Sequence, residues 1–183
     1  MKKYLALLLA LVMSLSLFAC GKKEGDDNKD KDKTEYKVAM ITDYGDITDQ
    51  SFNQTTYEAC KAFAEKNKIE FKYYKPAGDN TADRVAMIES AVEEGFNVIV
   101  MPGYAFGGAI VEAAPQHKDV KFIALDVAKG DLLEAGVAKA GEKYDFNPDN
   151  WELEKYVDMS NVYCAIYKEE LCGYMAGYAA VKL

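Results

Sequence analysis

The sequence predicts an α/β fold in which a parallel, doubly wound sheet carries helices on both faces. Short apolar runs alternate with helical segments of roughly 10–15 residues from residue 36 onward, which is the pattern of βαβ units. Runs such as 98–101 and 122–125 are apolar without a break, as parallel strands covered on both sides usually are. Half of the 183 residues are hydrophobic, which is enough to build one substantial core.

Residues 1–19 are predicted to be a lipoprotein signal peptide. A cationic start precedes an apolar run over 4–18, which is too short to cross a bilayer because a spanning helix needs roughly 20 residues. The sequence LFACG around Cys20 resembles the lipobox of bacterial lipoproteins, so we expect cleavage before Cys20 and acylation of its thiol. Residues 20–35 continue as a charged run, which predicts a flexible tether. The lipid would hold the mature chain on the extracytoplasmic face of the cell membrane.

The first strand–helix–strand unit follows this tether. Residues 36–42 form a short apolar run and predict the first strand. Ser51 is a candidate N-cap for a helix over 51–66, in which apolar residues recur on one face. Residues 69–75 alternate and are rich in aromatic side chains, which predicts the second strand.

The next units repeat this order. A helix is predicted over 81–94 from the spacing of its apolar residues, and Gly95 ends it in the usual C-cap role. A third strand over 97–101, a helix over 106–116 and a fourth strand over 120–126 follow.

The rhythm breaks at 128–160. This stretch holds three glycines, an Asn-Pro pair and the only tryptophan, and is predicted to be an irregular surface insertion. A fifth strand over 162–167 and a last helix over 169–181 come after it.

Charge and residue counts exclude several classes of function. The net charge of −8 repels phosphate backbones, so we expect no nucleic-acid partner. His117 is the only histidine, which disfavours His-based catalysis and multi-histidine metal sites. The three cysteines other than Cys20 are predicted to be small core residues, since an odd number cannot complete a set of disulfides. We expect neither a metal nor a cofactor.

Three segments of the predicted fold end at the carboxyl edge of the sheet, where open α/β sheets bind ligands. They are 42–53 (TDYGDITDQSFN), 102–108 (PGYAFGG) and Asp126. Together they offer carboxylates, an amide, glycines and aromatic rings, but no Lys/Arg cluster and no phosphate-binding loop. This chemistry favours a neutral ligand that has a flat ring and several hydroxyl or NH groups.

Individual side chains in these segments match such a ligand. Phe52 or Tyr104 can stack on a ring face, and Asp43 and Asp126 can accept hydrogen bonds from NH or OH groups. Purely structural roles remain open at this point: Phe52 as a core residue, Asp126 as a turn cap, and Asp49 as a helix cap.

The order of these motifs carries a family resemblance. Asp43 ends the first strand, DQSFN over 49–53 opens the first helix, FIALD over 122–126 ends a later strand, and YKEELCGYMAG spans 167–177. This set resembles the basic membrane protein family of substrate-binding lipoproteins, which includes the purine-nucleoside receptors of bacterial ABC importers. The match covers 36–127 and 161–183.

The resemblance implies a type I periplasmic-binding-protein fold, in which two α/β lobes close on a ligand. Residues 36–167 would be the first lobe, and 168–183 would be the first helix of a second lobe that is largely missing. It also implies an ABC permease and its ATPase as partners.

The resemblance also implies roles for single residues, with a purine nucleoside as the ligand. Phe52 would stack on the base, and Asp43 and Asn53 would bond to base edges. Asp126 would bind ribose hydroxyls. The site would be lined by Gly103 and Tyr104.

Three other functions are alternatives to this one. A receptor for another small polar ligand, such as a sugar or an autoinducer, uses the same side chains. An enzyme is disfavoured, because the chain contains no GxSxG, HExxH or GxGxxG motif. A surface antigen without a ligand does not account for the acidic and aromatic edge of the sheet.

Overall fold

The computed structural model describes residues 35–182. The predicted signal peptide, Cys20 and nearly all of the predicted tether lie outside the described residues. Within 35–182, no helix has the length and the apolar character needed to cross a membrane.

Five strands form one sheet in the order β2-β1-β3-β4-β5, and each neighbouring pair is parallel. The strands are β1 Val38–Ile41, β2 Phe71–Tyr74, β3 Val98–Pro102, β4 Lys121–Leu125 and β5 Val162–Ala165. The predicted parallel α/β sheet of five strands is therefore confirmed, and each strand lies within a residue of the predicted run or inside it.

Five α-helices connect and follow the strands. They are α1 Phe52–Asn67, α2 Thr81–Glu93, α3 Gly107–Ala113, α4 Lys129–Lys139 and α5 Glu169–Lys182. Short 3-10 turns occupy Tyr104–Phe106, Pro148–Asn150 and Leu153–Lys155. Right-handed crossovers place α1 on one face of the sheet and α2, α3 and α4 on the other, because the chain reverses direction across the sheet after β2.

The main core lies between the sheet and helices α2 to α4. Alternate strand residues enter it, as the two-residue period of a strand requires. The contributing strand residues are Ala39, Ile41, Ile99, Met101, Phe122 and Ala124, all nearly inaccessible to solvent. Phe106 packs on them from the 3-10 turn before α3, and Ile110 and Leu132 pack on them from α3 and α4.

The prediction of an irregular insertion over 128–160 is wrong in its first third, where α4 forms. The two glycines inside α4, Gly130 and Gly136, are typical of a loop. In the structure, however, Gly136 lies where the segment after the helix crosses it. A Cβ at Gly136 would approach Val157 Cγ2 to 3.0 Å and Tyr156 Cβ to 3.1 Å. The glycine therefore permits close packing rather than a turn.

The rest of that segment folds around a small aromatic cluster. Trp151 packs edge-on against Tyr144 and Tyr156, with ring centroids 5.7 and 5.5 Å apart. Its Nε1 donates to Asp145 Oδ1 at 2.7 Å. The cluster packs with two of the buried apolar residues of α4, Leu133 and Val137.

The last helix, α5, has no buried side chain. Its apolar residues Leu171, Met175 and Tyr178 are all more than half exposed. Its assignment to a second lobe stays a prediction.

Candidate functional site

The loop after β1 is organised around the carboxylate of Asp43. Its Oδ1 accepts hydrogen bonds from the backbone N–H groups of Tyr44 (2.6 Å) and Gly45 (2.7 Å) and from Asn53 Nδ2 (2.9 Å). Burial alone would raise the pKa of Asp43, but these donors outweigh it and the pKa is lowered. The side chain is therefore a fixed, ionised acceptor at neutral pH.

Asn53 is buried and its amide is used within the loop. Its Nδ2 donates to Asp43 and to Asp49 (3.0 Å), and its Oδ1 accepts from the backbone N–H of Asp43 (3.2 Å). In this conformation Asn53 connects two carboxylates rather than facing the solvent.

Asp49, not Ser51, caps helix α1. The carboxylate of Asp49 accepts from the backbone N–H groups of Ser51 (2.8 Å), Asn53 (3.2 Å) and Gln54 (3.1 Å). Ser51 occupies the N-cap position without a side-chain hydrogen bond. An Asp satisfies the free N–H groups of a first turn and complements its positive dipole, so Asp49 is the stronger cap.

Arg84 supports the same loop, a role that no pattern in the sequence predicts. Its buried guanidinium donates from Nε to the backbone carbonyl of Asp43 (3.0 Å) and pairs with the carboxylate of Asp79. It also lies 5.7 Å from the centre of the Phe106 ring. One signal in the sequence was available: Arg84 is the only arginine of the chain.

The loop after β3 meets this first loop. Gly103 has φ of 122°, a conformation that other residues rarely adopt, and its N–H donates to the carbonyl of Leu125 (2.8 Å). A Cβ at Gly103 would lie 3.9 Å from Asp43 Cβ, so the two loops are in contact. Tyr104 extends from the loop with 69% of its surface exposed.

These loops enclose a small polar pocket of about 80 Å³ at the carboxyl edge of the sheet. It is lined by Asp43, Tyr44, Asp79, Arg84, Gly103, Tyr104 and Ala105. Three of the predicted site residues, Asp43, Gly103 and Tyr104, are thus brought together.

Phe52 lies apart from that pocket, at the first position of α1. It is partly buried, and its ring meets the Tyr167 ring edge-on at 5.9 Å between centroids. Both rings line a larger, apolar groove of about 400 Å³ between α1 and the sheet. Tyr167 belongs to the motif over 167–177, but the sequence predicts no ligand role for it.

Asp126 directly follows β4 and lines neither cavity. It adopts φ of 60°, which Asp tolerates better than most residues, and its N–H donates to the carbonyl of Ala165 (2.7 Å). Burial raises the pKa of Asp126, and the neighbouring carboxylates of Glu169 and Asp131 raise it further. The carboxylate of Asp126 therefore lies at the end of β4, close to the first turns of α4 and α5.

Comparison with known proteins gives a family match over the whole described fold. A family model described as Bmp, ABC transporter substrate-binding protein PnrA-like, matches residues 36–183. A CD4+ T-cell-stimulating antigen of Listeria innocua is 34% identical over 132 residues, which is 67% of this chain and 36% of that protein. The nucleoside-binding ABC transporter protein BmpA of Lactococcus lactis is 23% identical over 178 residues, covering 95% of this chain and 42% of its own length. The chain thus spans about two fifths of these relatives.

A solved structure supports the fold. The solute-binding protein of a 5-methylthioribose transporter from Thermotoga lettingae superposes with a TM-score of 0.50 at 16% identity. The superposition covers 80% of this chain and 37% of that one.

Proposed function

The chain belongs to the Bmp family of PnrA-like ABC transporter substrate-binding proteins, and from this membership we propose that it binds purine nucleosides for an ABC importer. It acts as a receptor that delivers its ligand, chemically unchanged, to a permease driven by an ATPase. It is held on the extracytoplasmic face of the membrane by a lipid on Cys20. One relative named for nucleoside binding supports the choice of ligand.

One observation carries the proposal: an ionised Asp43 is fixed beside the exposed ring of Tyr104 at the carboxyl edge of the sheet. A fixed anionic acceptor suits the ring N–H groups of a purine, and a neighbouring aromatic ring suits its flat face. Because the acceptor is already oriented, little conformational entropy is lost when the ligand binds.

The proposed contacts use the remaining site residues. A ligand that reaches them extends beyond the polar pocket: Phe52, which lines the apolar groove, stacks on the base, and Asp126, which lines neither cavity, accepts from the ribose hydroxyls. Gly103 lets the ligand approach the backbone. Asn53 acts on the base edge mainly through Asp43, since its amide already holds that carboxylate. A direct bond from Asn53 would require it to exchange one of these partners.

A nuclear magnetic resonance titration of the mature chain, residues 20–183, with inosine, guanosine and ribose tests the proposal. We expect binding of both nucleosides and none of ribose. Phe52→Ala should weaken nucleoside binding by about 10- to 100-fold, because stacking of a base on an aromatic ring contributes roughly 1–3 kcal/mol. Phe63→Ala is the matched control, since it removes another ring of the apolar groove from the same helix.

A nucleoside without ribose hydroxyls tests the proposed contact between Asp126 and the ribose. Asp126→Ala should weaken inosine binding but hardly affect 2′,3′-dideoxyinosine, which lacks the hydroxyls that the carboxylate would bind. Binding of ribose without nucleosides, or equal losses for Phe52→Ala and Phe63→Ala, would contradict the proposed function.

A further inference from the structure

The guanidinium of Arg84 is held firmly by the fold, but one of its nitrogens is left over. Its Nε donates to the backbone carbonyl of Asp43 (3.0 Å), and its Nη2 pairs with the carboxylate of Asp79. Its central carbon lies 5.7 Å from the centre of the Phe106 ring. Among residues 35–182 no acceptor binds the third nitrogen, Nη1, and this atom is not closed off from solvent. A fixed cationic donor is therefore available to a ligand.

This donor belongs to the small polar pocket at the carboxyl edge of the sheet. Arg84 lines that pocket although only 3% of its surface is exposed. Tyr44 and Tyr104, which line the same pocket, are more than half exposed. The tyrosines therefore form the mouth of the pocket, and the guanidinium lies at its inner end.

Asp43 offers a matching acceptor in the same pocket. Its Oδ1 accepts the three hydrogen bonds that order the loop, whereas Oδ2 accepts none from residues 35–182 and is also open to solvent. Asp43 is less buried than Arg84, so Oδ2 lies nearer the mouth. The two side chains do not pair with each other, because Arg84 pairs with Asp79 instead. A ligand edge that donates to Asp43 and accepts from Arg84 would satisfy both groups.

We propose that Arg84 is a specificity-determining residue that selects 6-oxopurine nucleosides over adenosine. In inosine and guanosine the ring N1–H lies next to the O6 carbonyl, at the end of the base farthest from the sugar. N1–H donates to Asp43 Oδ2, and O6 accepts from Arg84 Nη1. Arginine side chains contact the O6 of guanine in the same way when proteins read DNA. The inference rests on the proposed function, because it takes a purine nucleoside as the ligand.

The different depths of the two side chains determine which atom of the base meets which group. The substituent at C6 projects beyond the ring, so it reaches the inner end of the pocket, where Arg84 lies. There O6 accepts from the guanidinium, whereas the amino group of adenosine would place its N–H groups against those of Arg84. Donors that face each other in a partly buried site lose their hydrogen bonds to water without gaining new ones. We therefore expect adenosine to bind about 10- to 100-fold more weakly than inosine.

The size and the charge of the pocket favour this ligand edge. A volume of about 80 Å³ holds only a few atoms, since one water molecule occupies about 30 Å³, so the pocket takes the edge of a base rather than a whole nucleoside. The carboxylates of Asp43 and Asp79 outnumber the single guanidinium, and the pocket is net negative. A neutral carbonyl is therefore a better partner for Arg84 than an anionic group is.

A ligand series tests the inference without any change to the protein. Inosine, adenosine and 1-methylinosine are titrated into residues 20–183, and binding is followed by nuclear magnetic resonance. The methyl group of 1-methylinosine removes the donor at N1 but leaves O6 in place. We expect inosine to bind about 10- to 100-fold more tightly than either of the other two nucleosides.

Arg84→Met tests whether the guanidinium causes this selectivity. The variant also removes the donor to the Asp43 carbonyl, so the ratio of inosine affinity to adenosine affinity is measured rather than either affinity alone. This ratio should fall at least about fivefold, because O6 loses its donor and the amino group no longer faces one. Lys75→Met is the matched control, since it removes a cation that pairs with Asp46 of the same loop and does not line the pocket. Its ratio should equal that of the parent.

The outcomes distinguish this inference from the proposed function. If adenosine binds as tightly as inosine or more tightly, the chain binds nucleosides but Arg84 does not select among them. A ratio that is unchanged in Arg84→Met, or that falls equally in Lys75→Met, would also overturn the inference and leave the proposed function standing. If no nucleoside binds to a chain whose amide spectrum is that of a folded protein, the proposed function fails and the inference fails with it.

Discussion

At the scale of single residues, Arg84 determines the shape of the loop that carries Asp43. A buried arginine is costly to remove from water unless its N–H groups are satisfied. Here one donor meets the carbonyl of Asp43 and another meets Asp79. The positive charge also helps to lower the pKa of Asp43, although less than the loop's own hydrogen bonds do.

We predict that Arg84→Met raises the pKa of Asp43 and destabilises the fold by about 1–2 kcal/mol, because the Asp43 carbonyl loses its donor. The pKa of folded Asp43 lies below its unfolded value of about 3.9. Ionised Asp43 therefore stabilises the fold above that value, and this contribution is lost as the pH falls through the folded-state pKa. With Arg84→Met this contribution should be smaller, and its loss should be complete at a higher pH. Urea unfolding at several pH values and carboxyl-carbon resonance titration measure both effects.

Lys75→Met is the matched control for this prediction. Lys75 is exposed and pairs with Asp46 of the same loop at 3.2 Å, so removing it deletes a nearby charge without touching the Asp43 carbonyl. An exposed pair of this kind contributes little to stability, because water and salt screen it. Equal shifts of the Asp43 pKa in the two variants would show that Arg84 has no special role.

At the scale of elements, α3 and α4 approach each other at Gly107. A Cβ there would lie 2.6 Å from the carbonyl oxygen of Asp131 and 2.8 Å from its carbonyl carbon. We predict that Gly107→Ala lowers the free energy of unfolding by about 1–3 kcal/mol, because the helices must separate. Gly130→Ala in α4 meets only Tyr144 Oη at 3.6 Å and should be neutral or stabilising by up to about 1 kcal/mol. Thermal and urea unfolding compare the two, and a stabilised Gly107→Ala would refute close packing of the helices.

Glycines also explain which elements could be predicted from the sequence and which could not. The strands could be predicted because a buried parallel strand is a short apolar run, whatever it packs against. Helix α4 was not, because Gly130 and Gly136 look like loop residues until Val157 is known to cross the helix.

The candidate site likewise has one part that the sequence predicts and another part that it does not. Asp43, Gly103 and Tyr104 closely follow strands, so their place at the carboxyl edge of the sheet could be predicted from the sequence, and side-chain chemistry and the family resemblance predict their roles. The support from Arg84 and the internal use of Asn53 depend on contacts between distant segments, which no local pattern encodes.

At the scale of the whole molecule, the predicted lipid anchor on Cys20 would determine whether the chain stays at the membrane. We predict that the wild-type chain is recovered with membranes and that Cys20→Ala is released from them, because a transferred acyl chain supplies the only membrane contact we propose. Cell fractionation and mass spectrometry of the N-terminal peptide measure this. Cys172→Ala, which alters another cysteine, should leave the chain on the membrane. Recovery of the wild type in the medium with an unmodified Cys20 would contradict the prediction.

The long connection between β4 and β5 has a kinetic consequence. Strands β1 to β4 are joined through one helix at a time, whereas 36 residues lie between Leu125 and Val162. The chain-closure entropy for pairing β5 is therefore larger than for the other strands, and α4 with its aromatic cluster must fold first to shorten the distance. During synthesis and export, the edge at which Asp126 meets Ala165 is then completed last. Pulse-labelled amide exchange would show this order as later protection in β5 than in β1 or β3.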